Sequence, residues 1–297
     1  MSKTMPIVFF GTEAWGVPSL EQLLEDGYRI AAVVTRPDAP AGRKRILEPT
    51  PVKVAALAHG LTVWEPASVK ELIPLLTELK PALGVLIAYG KIIPPAVLDL
   101  FPLGILNLHP SALPKYRGPS PIETAILNGD EIGWASIIKL DAAMDAGDIV
   151  ASHHVQLEPA DSIGAPEAYR LIGVAAAPLL SATIAEVMNG TAKFTVQDEA
   201  KASLSRIITK ADGVLDLTQP AETLVRQIRA YLGWPGSRTQ LAGTDVIITA
   251  AHVGEPRPRE LAIATGDGLL VIDRLIPAGK REMTGQDFLA GHSLNSS

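Results

Sequence analysis

The first ~110 residues alternate short apolar runs with helix-forming stretches, and this alternation restricts the fold more than any other feature of the chain. Residues 6–10, 29–35, 81–88 and 104–108 are compatible with β-strands, while 19–24, 69–79 and 92–100 carry helical patterns between them. Strands that alternate with helices imply a mainly parallel, doubly wound α/β sheet, a Rossmann-like domain. Ligands of such sheets bind at the carboxyl ends of the strands. The glycines after the first strand, Gly11 and Gly16, invite a nucleotide-loop reading. They have neither the dinucleotide spacing nor a following Lys-Ser/Thr, so this strand-turn-helix is architecture.

The fourth run ends in the stretch 104–118, Gly-Ile-Leu-Asn-Leu-His-Pro-Ser-Ala-Leu-Pro-Lys-Tyr-Arg-Gly. Its apolar start and its break at Pro110 describe a buried strand that opens into an irregular loop. Asn107 and His109 are two apart, so on an extended strand they share one face. An amide and an imidazole placed there can both donate to one oxygen atom. Taken alone the pair is weak evidence, because a histidine at a strand end is commonly a packing residue and Asn107 can end a strand by bonding local backbone.

Two other loops invite attention. The connection 36–49 is long for a link from strand to helix and holds three consecutive cations, Arg43, Lys44 and Arg45. It is either a solvated loop or a contact for a polyanion. Further on, strands at 134–140 and 149–156 flank 141–148, which contains Asp145, Gly147 and Asp148. Asp beside Gly usually forms turns. The functional alternative is a carboxylate aimed at Asn107 and His109. The adjacent His153 and His154 point to opposite faces of a strand and make a poor metal pair.

Residues 162–188 give the longest helical pattern, and 221–231 a further helix. After 233–236 the chain turns to short β-rich runs at 244–250, 260–264 and 269–275, which suggest a small C-terminal β-barrel of OB type. We therefore expect a catalytic domain over 1–190, a linker over 191–206 and the barrel over 207–297.

Composition removes several classes. The chain has no cysteine, which excludes disulfides, thiolate metal sites and cysteine nucleophiles. A net charge of -6 argues against a generally basic nucleic-acid binder but leaves room for a local basic patch. The N-terminal apolar run is too short for a signal sequence and no uninterrupted apolar run reaches spanning length, so a soluble cytoplasmic protein with no membrane partner is expected.

The residues from Asn107 to Gly118 resemble the Asn-x-His-x-Ser-Leu-Leu-Pro-x-x-Arg-Gly segment of folate-dependent formyltransferases. The run Met144-Asp145-Ala146-Gly147-Asp148 is similar to their Asp-x-Gly-Asp loop. These features are shared by formyltransferases acting on glycinamide ribonucleotide, sugars and methionyl-tRNA, and by formyl-folate hydrolases. Three further stretches, 35–43, 88–94 and 229–236 with 279–289, resemble the methionyl-tRNA formyltransferase family in particular. Ala112, in place of the usual Leu, and Lys44, where the family often has Gly, are small departures.

The resemblance implies transfer of a formyl group from 10-formyltetrahydrofolate, as co-substrate, to methionine on initiator methionyl-tRNA by a monomeric enzyme that needs no metal. It implies Asn107, His109 and Asp145 as catalytic residues. Ser111, Ala112, Leu113, Pro114, Tyr89 and Gly90 would bind folate, and Arg43, Lys44 and Arg45 would bind tRNA. A sugar-nucleotide formyltransferase would use the same three catalytic residues without needing the basic loop. A non-catalytic RNA-binding protein would keep the loop without needing all three.

Overall fold

The computed structural model describes residues 2–41, 46–157 and 162–292. Within them the chain forms two units, each with its own core. Arg43, Lys44 and Arg45 lie outside the described residues.

The first unit takes in Met1–Gly118, Gly133–Gln156 and Tyr169–Leu204. Its elements begin with β1 (Ile7–Gly11), α1 (Val17–Glu25), β2 (Ile30–Val34), the short strands β3 (Ala39–Ala41) and β4 (Ile46–Glu48), α2 (Pro51–Ala58) and β5 (Val63–Trp64). They continue with α3 (Leu72–Leu79), β6 (Leu83–Ile87), α4 (Pro95–Leu98) and β7 (Ile105–His109). Helix α5 (Pro121–Asn128) belongs to the other unit, after which β8 (Trp134–Lys139), β9 (Ile149–His154) and most of α6 (Ala165–Asn189) return to this one.

Seven strands make one sheet in the order β5-β2-β1-β6-β7-β8-β9. The pairings from β5 to β7 are parallel, and β8 and β9 add an antiparallel edge. Strand order runs outward in opposite directions from the β1/β6 pair. That reversal opens a crevice at the carboxyl ends of these strands, the usual ligand position in an open α/β sheet. β1 and β7 are buried at every residue because helices can cover both faces of a parallel sheet. One apolar cluster joins Val8, Phe10, Val34, Leu72, Leu76, Val97 and Ile105.

The long connection after β2 is not wholly irregular. β3 and β4 pair antiparallel, Ala39 opposite Glu48, and Lys53 of α2 anchors their flank through Asp38 at 2.7 Å and Glu65 at 2.9 Å. Helix α6 occupies the stretch expected to form the longest helix. An 18-residue window of it, with a mean hydropathy of 1.8, is apolar enough to cross a membrane by length and composition. Yet Ile172, Ala176, Leu180, Ile184 and Val187 are buried at intervals of three or four residues, the stripe of a helix facing a protein core.

The second unit takes in Pro119–Ile132, Leu157–Ala168 and Ser205–Ser297. It contains α5, α7 (Ala221–Ala230), β10 (Ser237–Leu241), β11 (Thr244–Val253), β12 (Leu261–Ala264), β13 (Leu269–Pro277), β14 (Met283–Thr284) and α8 (Gly285–Gly291). The strands pair antiparallel in the order β10-β11-β13-β12, with β14 added to β13. Register shifts between Ile248 and Ala251 bend β11, as a strand must where a small sheet curls. Leu224 and Ile228 lie one helical turn apart on α7 and join Val246, Ile248, Leu270, Leu275 and Phe288 in the core.

Candidate active site

β7 delivers Asn107 and His109 to one face near its carboxyl end, as the period of two requires. In register they stand opposite Ile138 and Ser136 of β8. Both are buried, at 6 % and 5 % exposure. Beyond His109 the chain folds on itself. The Ser111 N–H donates to the His109 carbonyl at 3.0 Å, and Ser111 Oγ donates to the Lys115 carbonyl at 2.7 Å. Ser136 supports this turn from the neighbouring strand: its hydroxyl donates to the Ser111 carbonyl at 2.7 Å and accepts from the Leu113 N–H at 3.3 Å.

Asp145 comes from the loop between β8 and β9. Its φ of 51° is left-handed, which a non-glycine residue adopts only under constraint. Nearby Gly147 passes so close to the Lys139 carbonyl that a Cβ would collide with its oxygen at 1.8 Å, so glycine alone fits. The Asp145 carboxylate meets three partners. Oδ1 accepts from Asn107 Nδ2 at 3.4 Å, Oδ2 accepts from the Gly118 N–H at 2.8 Å, and Oδ2 lies 3.7 Å from His109 Nδ1. Asn107 thus donates to one oxygen of the Asp145 carboxylate, and His109 faces the other.

His109 has a second neighbour. Its Nε2 is 2.9 Å from the Tyr116 carbonyl, which can only accept, so Nε2 carries the hydrogen. One ring nitrogen thus donates to backbone while the other faces a carboxylate. Asn107 commits one amide hydrogen to Asp145, and an amide nitrogen carries two. The site can present N–H donors and a carboxylate to a reacting carbonyl and its attacking amine.

The other expected site residues divide. Leu113 is buried within the turn, while Ala112 and Pro114 are partly exposed. Gly90, with φ 75°, is exposed at the end of the β6 connection beside the Arg36 guanidinium. Tyr89 points inward: it is fully buried, meets Phe10 edge-on at 5.7 Å between centroids, and its hydroxyl has no hydrogen-bond partner. Burial pushes its phenol up to about 12. Its carbonyl accepts from Thr12 Oγ1 at 3.1 Å, so the side chain belongs to the core cluster and not to an open face.

Residues 5–169 match the model of the formyl transferase family, and residues 207–293 match that of the formyl transferase C-terminal domain. A methionyl-tRNA formyltransferase of Roseiflexus castenholzii is 40 % identical over 303 residues, covering 97 % of this chain and 96 % of the relative. The chain belongs to the methionyl-tRNA formyltransferase family. The Bacillus subtilis enzyme of that name is 38 % identical over 300 residues, covering 96 % and 94 %.

Solved structures share the fold of this formyltransferase chain at lower identity. HypX from Aquifex aeolicus in complex with tetrahydrofolic acid matches with TM-score 0.67 and 18 % identity over 96 % of this chain, which spans about half (47 %) of HypX. Methionyl-tRNA formyltransferase from Clostridium thermocellum matches with TM-score 0.61 and 15 % identity, over 95 % of this chain and all of its own (100 %).

Two residues that serve the site lay outside the sequence reading. Ser136 was one position in an apolar strand, and its role follows from the β7/β8 register alone. Gln197, in the stretch expected as a linker, donates to the carbonyls of Asp145 and Gly147.

Proposed function

We propose that this chain transfers the formyl group of 10-formyltetrahydrofolate to the α-amine of methionine on initiator methionyl-tRNA, as a cytoplasmic monomer serving translation initiation. The observation that carries the reading is the Asp145 carboxylate in reach of Asn107, His109 and the Gly118 N–H at the end of β7. It sits in a chain 40 % identical to a relative of that activity over 97 % of its length.

The amine nitrogen attacks the formyl carbon, a C–N bond forms, and the carbonyl oxygen becomes an oxyanion. Asn107 keeps its second Nδ2–H for that charge, and a protonated His109 would add Nδ1–H, whose 3.7 Å separation from Asp145 is beyond hydrogen-bond reach. Asp145 faces His109 and accepts, through an ordered water, the proton the amine loses. Collapse of the intermediate breaks the bond to N10, which takes up a proton and leaves as tetrahydrofolate. Turn residues Ser111–Pro114 and the backbone at Tyr89–Gly90 would line the folate side, with Leu113 as an apolar wall. Arg43, Lys44 and Arg45, together with the C-terminal unit, would hold tRNA phosphates.

The test is a formyl-transfer assay with purified protein, formyl-folate and charged initiator tRNA, with charged elongator tRNA and an amino-sugar nucleotide as competitors. Preferential formylation of the initiator supports the proposal, and preference for the amino sugar overturns it. Arg43→Ala should raise KM for methionyl-tRNA, steeply dependent on salt, and spare folate binding. An unchanged KM would make the loop a solvated connection.

A further inference from the structure

The stretch 191–206 is fastened along the catalytic loops. Thr195 exchanges two backbone hydrogen bonds with Ile149, at 2.9 and 2.8 Å, where β9 begins. The Ser203 N–H donates to the Pro114 carbonyl at 3.1 Å, its carbonyl accepts from the Arg117 N–H at 2.9 Å, and its hydroxyl accepts from the Tyr116 N–H at 2.9 Å. Between these two anchors lies Gln197, only 4 % exposed.

Gln197 spans both loops with one amide. Its Oε1 accepts from Arg117 Nε at 3.0 Å, while Nε2 donates to the carbonyls of Asp145 at 2.8 Å and Gly147 at 2.7 Å. The orientation is unique, because guanidinium N–H groups cannot accept and carbonyls cannot donate. Arg117 is itself fixed by Glu199, which receives NH1 at 3.0 Å and NH2 at 2.7 Å. Asp145 needs such a hold. Its backbone is left-handed, and its contacts to Asn107 at 3.4 Å and His109 at 3.7 Å are too long to survive much displacement.

We infer that Gln197 is a positioning residue, which sets the Asp145 carboxylate against Asn107 and His109 through the backbone of residues 145–147. The inference rests on the formyl-transfer reading for its catalytic consequence. Its structural consequence can be read independently.

The experiment compares the full-length wild type with Gln197→Met, Asp145→Ala and the double variant. Gln197→Met should lower kcat about 10- to 100-fold, the scale of a misplacement near 1 Å, and leave KM for both substrates within about threefold. Added to Asp145→Ala it should cost less than about threefold more, because a residue acting through Asp145 has nothing left to act on. Amide exchange of residues 141–148 should rise in Gln197→Met with little change elsewhere in the sheet, a reading that holds even if the wild type formylates no tRNA. Multiplicative losses in the double variant, or unchanged exchange and kcat within about twofold, overturn the inference. Gln197→Glu keeps the Arg117 acceptor but loses both donors. It enters the same cycle if Gln197→Met does not fold, and wild-type kcat in that variant also overturns the inference.

Discussion

Strand β7 buries all five of its residues, Asn107 and His109 among them, whereas β11 in the other unit buries only Val246 and Ile248 of its ten. The contrast follows from how each sheet is covered. Helices close both faces of a parallel sheet, so polar chemistry is left to strand ends, where the protein must supply every partner. An antiparallel sheet packs one face and wets the other. β11 and β13 accordingly turn Asp245, His252, Asp273 and Arg274 to solvent. The first unit specialises in held polar contacts, and the second in an apolar core beneath a charged surface.

If that contrast is right, damage in the two units should separate into stability and chemistry. The largest effect is expected at Phe288, fully buried in the second core. Phe288→Ala should cost about 3–5 kcal/mol in chemical denaturation. A loss below about 1 kcal/mol would mean that this core does not hold its unit together. Next come Asn107→Ala and His109→Ala, each expected to lower turnover about a hundredfold or more, near 3 kcal/mol, with thermal unfolding little changed. Near-normal activity in either purified variant removes that residue from the mechanism.

Tyr89 tests the contrast from inside the first unit, since its phenol is a buried polar group with no partner. Tyr89→Phe should be neutral or stabilising by up to about 1 kcal/mol. The pH dependence has a definite sign. Burial raises the folded pKa to about 12, above an unfolded value of about 10, so the contribution is intact below the unfolded value and lost as pH rises through the folded one. The variant should lose that part of the alkaline unfolding transition, and an identical alkaline limb would place the phenol in contact with water.

The smallest effect concerns Glu199, which Arg117's hydrogen bonds hold below the usual carboxylate range. A depressed folded pKa gives stability that is present above the unfolded value of about 4.3 and lost as pH falls through the folded one. Glu199→Gln should flatten the acid limb slightly and leave the neutral region alone, as expected for a largely exposed carboxylate. A variant as acid-sensitive as the wild type would show that the pair does not matter to folding.

Much of this was legible along the chain. The period of two places Asn107 and His109 on one face wherever β7 is extended, and the Asp-rich run with Gly147 after Lys139 predicts a turn around Asp145. Alternating strands and helices announced the doubly wound sheet. What was not legible shares a cause. Tyr89 lies in a stretch resembling a folate-side segment, but which side of a loop faces the core depends on what packs against it, here Phe10 and its neighbours. Which stripe of α6 is buried likewise depends on the surface it meets.

The sequence by itself determined the order of strands and helices, the shared face of Asn107 and His109, and the reaction that the segment from Asn107 to Gly118 and the Asp145 loop resemble. Local periodicity and side-chain chemistry are properties of neighbours in the chain. Tertiary structure alone decided that Asp145 is the carboxylate both residues face, that Ser136 props the turn after His109, and that Gln197 reaches the carbonyl of Asp145, 52 residues earlier in the chain. Those contacts join segments that only folding brings together, and a hydrogen bond depends on distance in space, which separation along the chain does not encode.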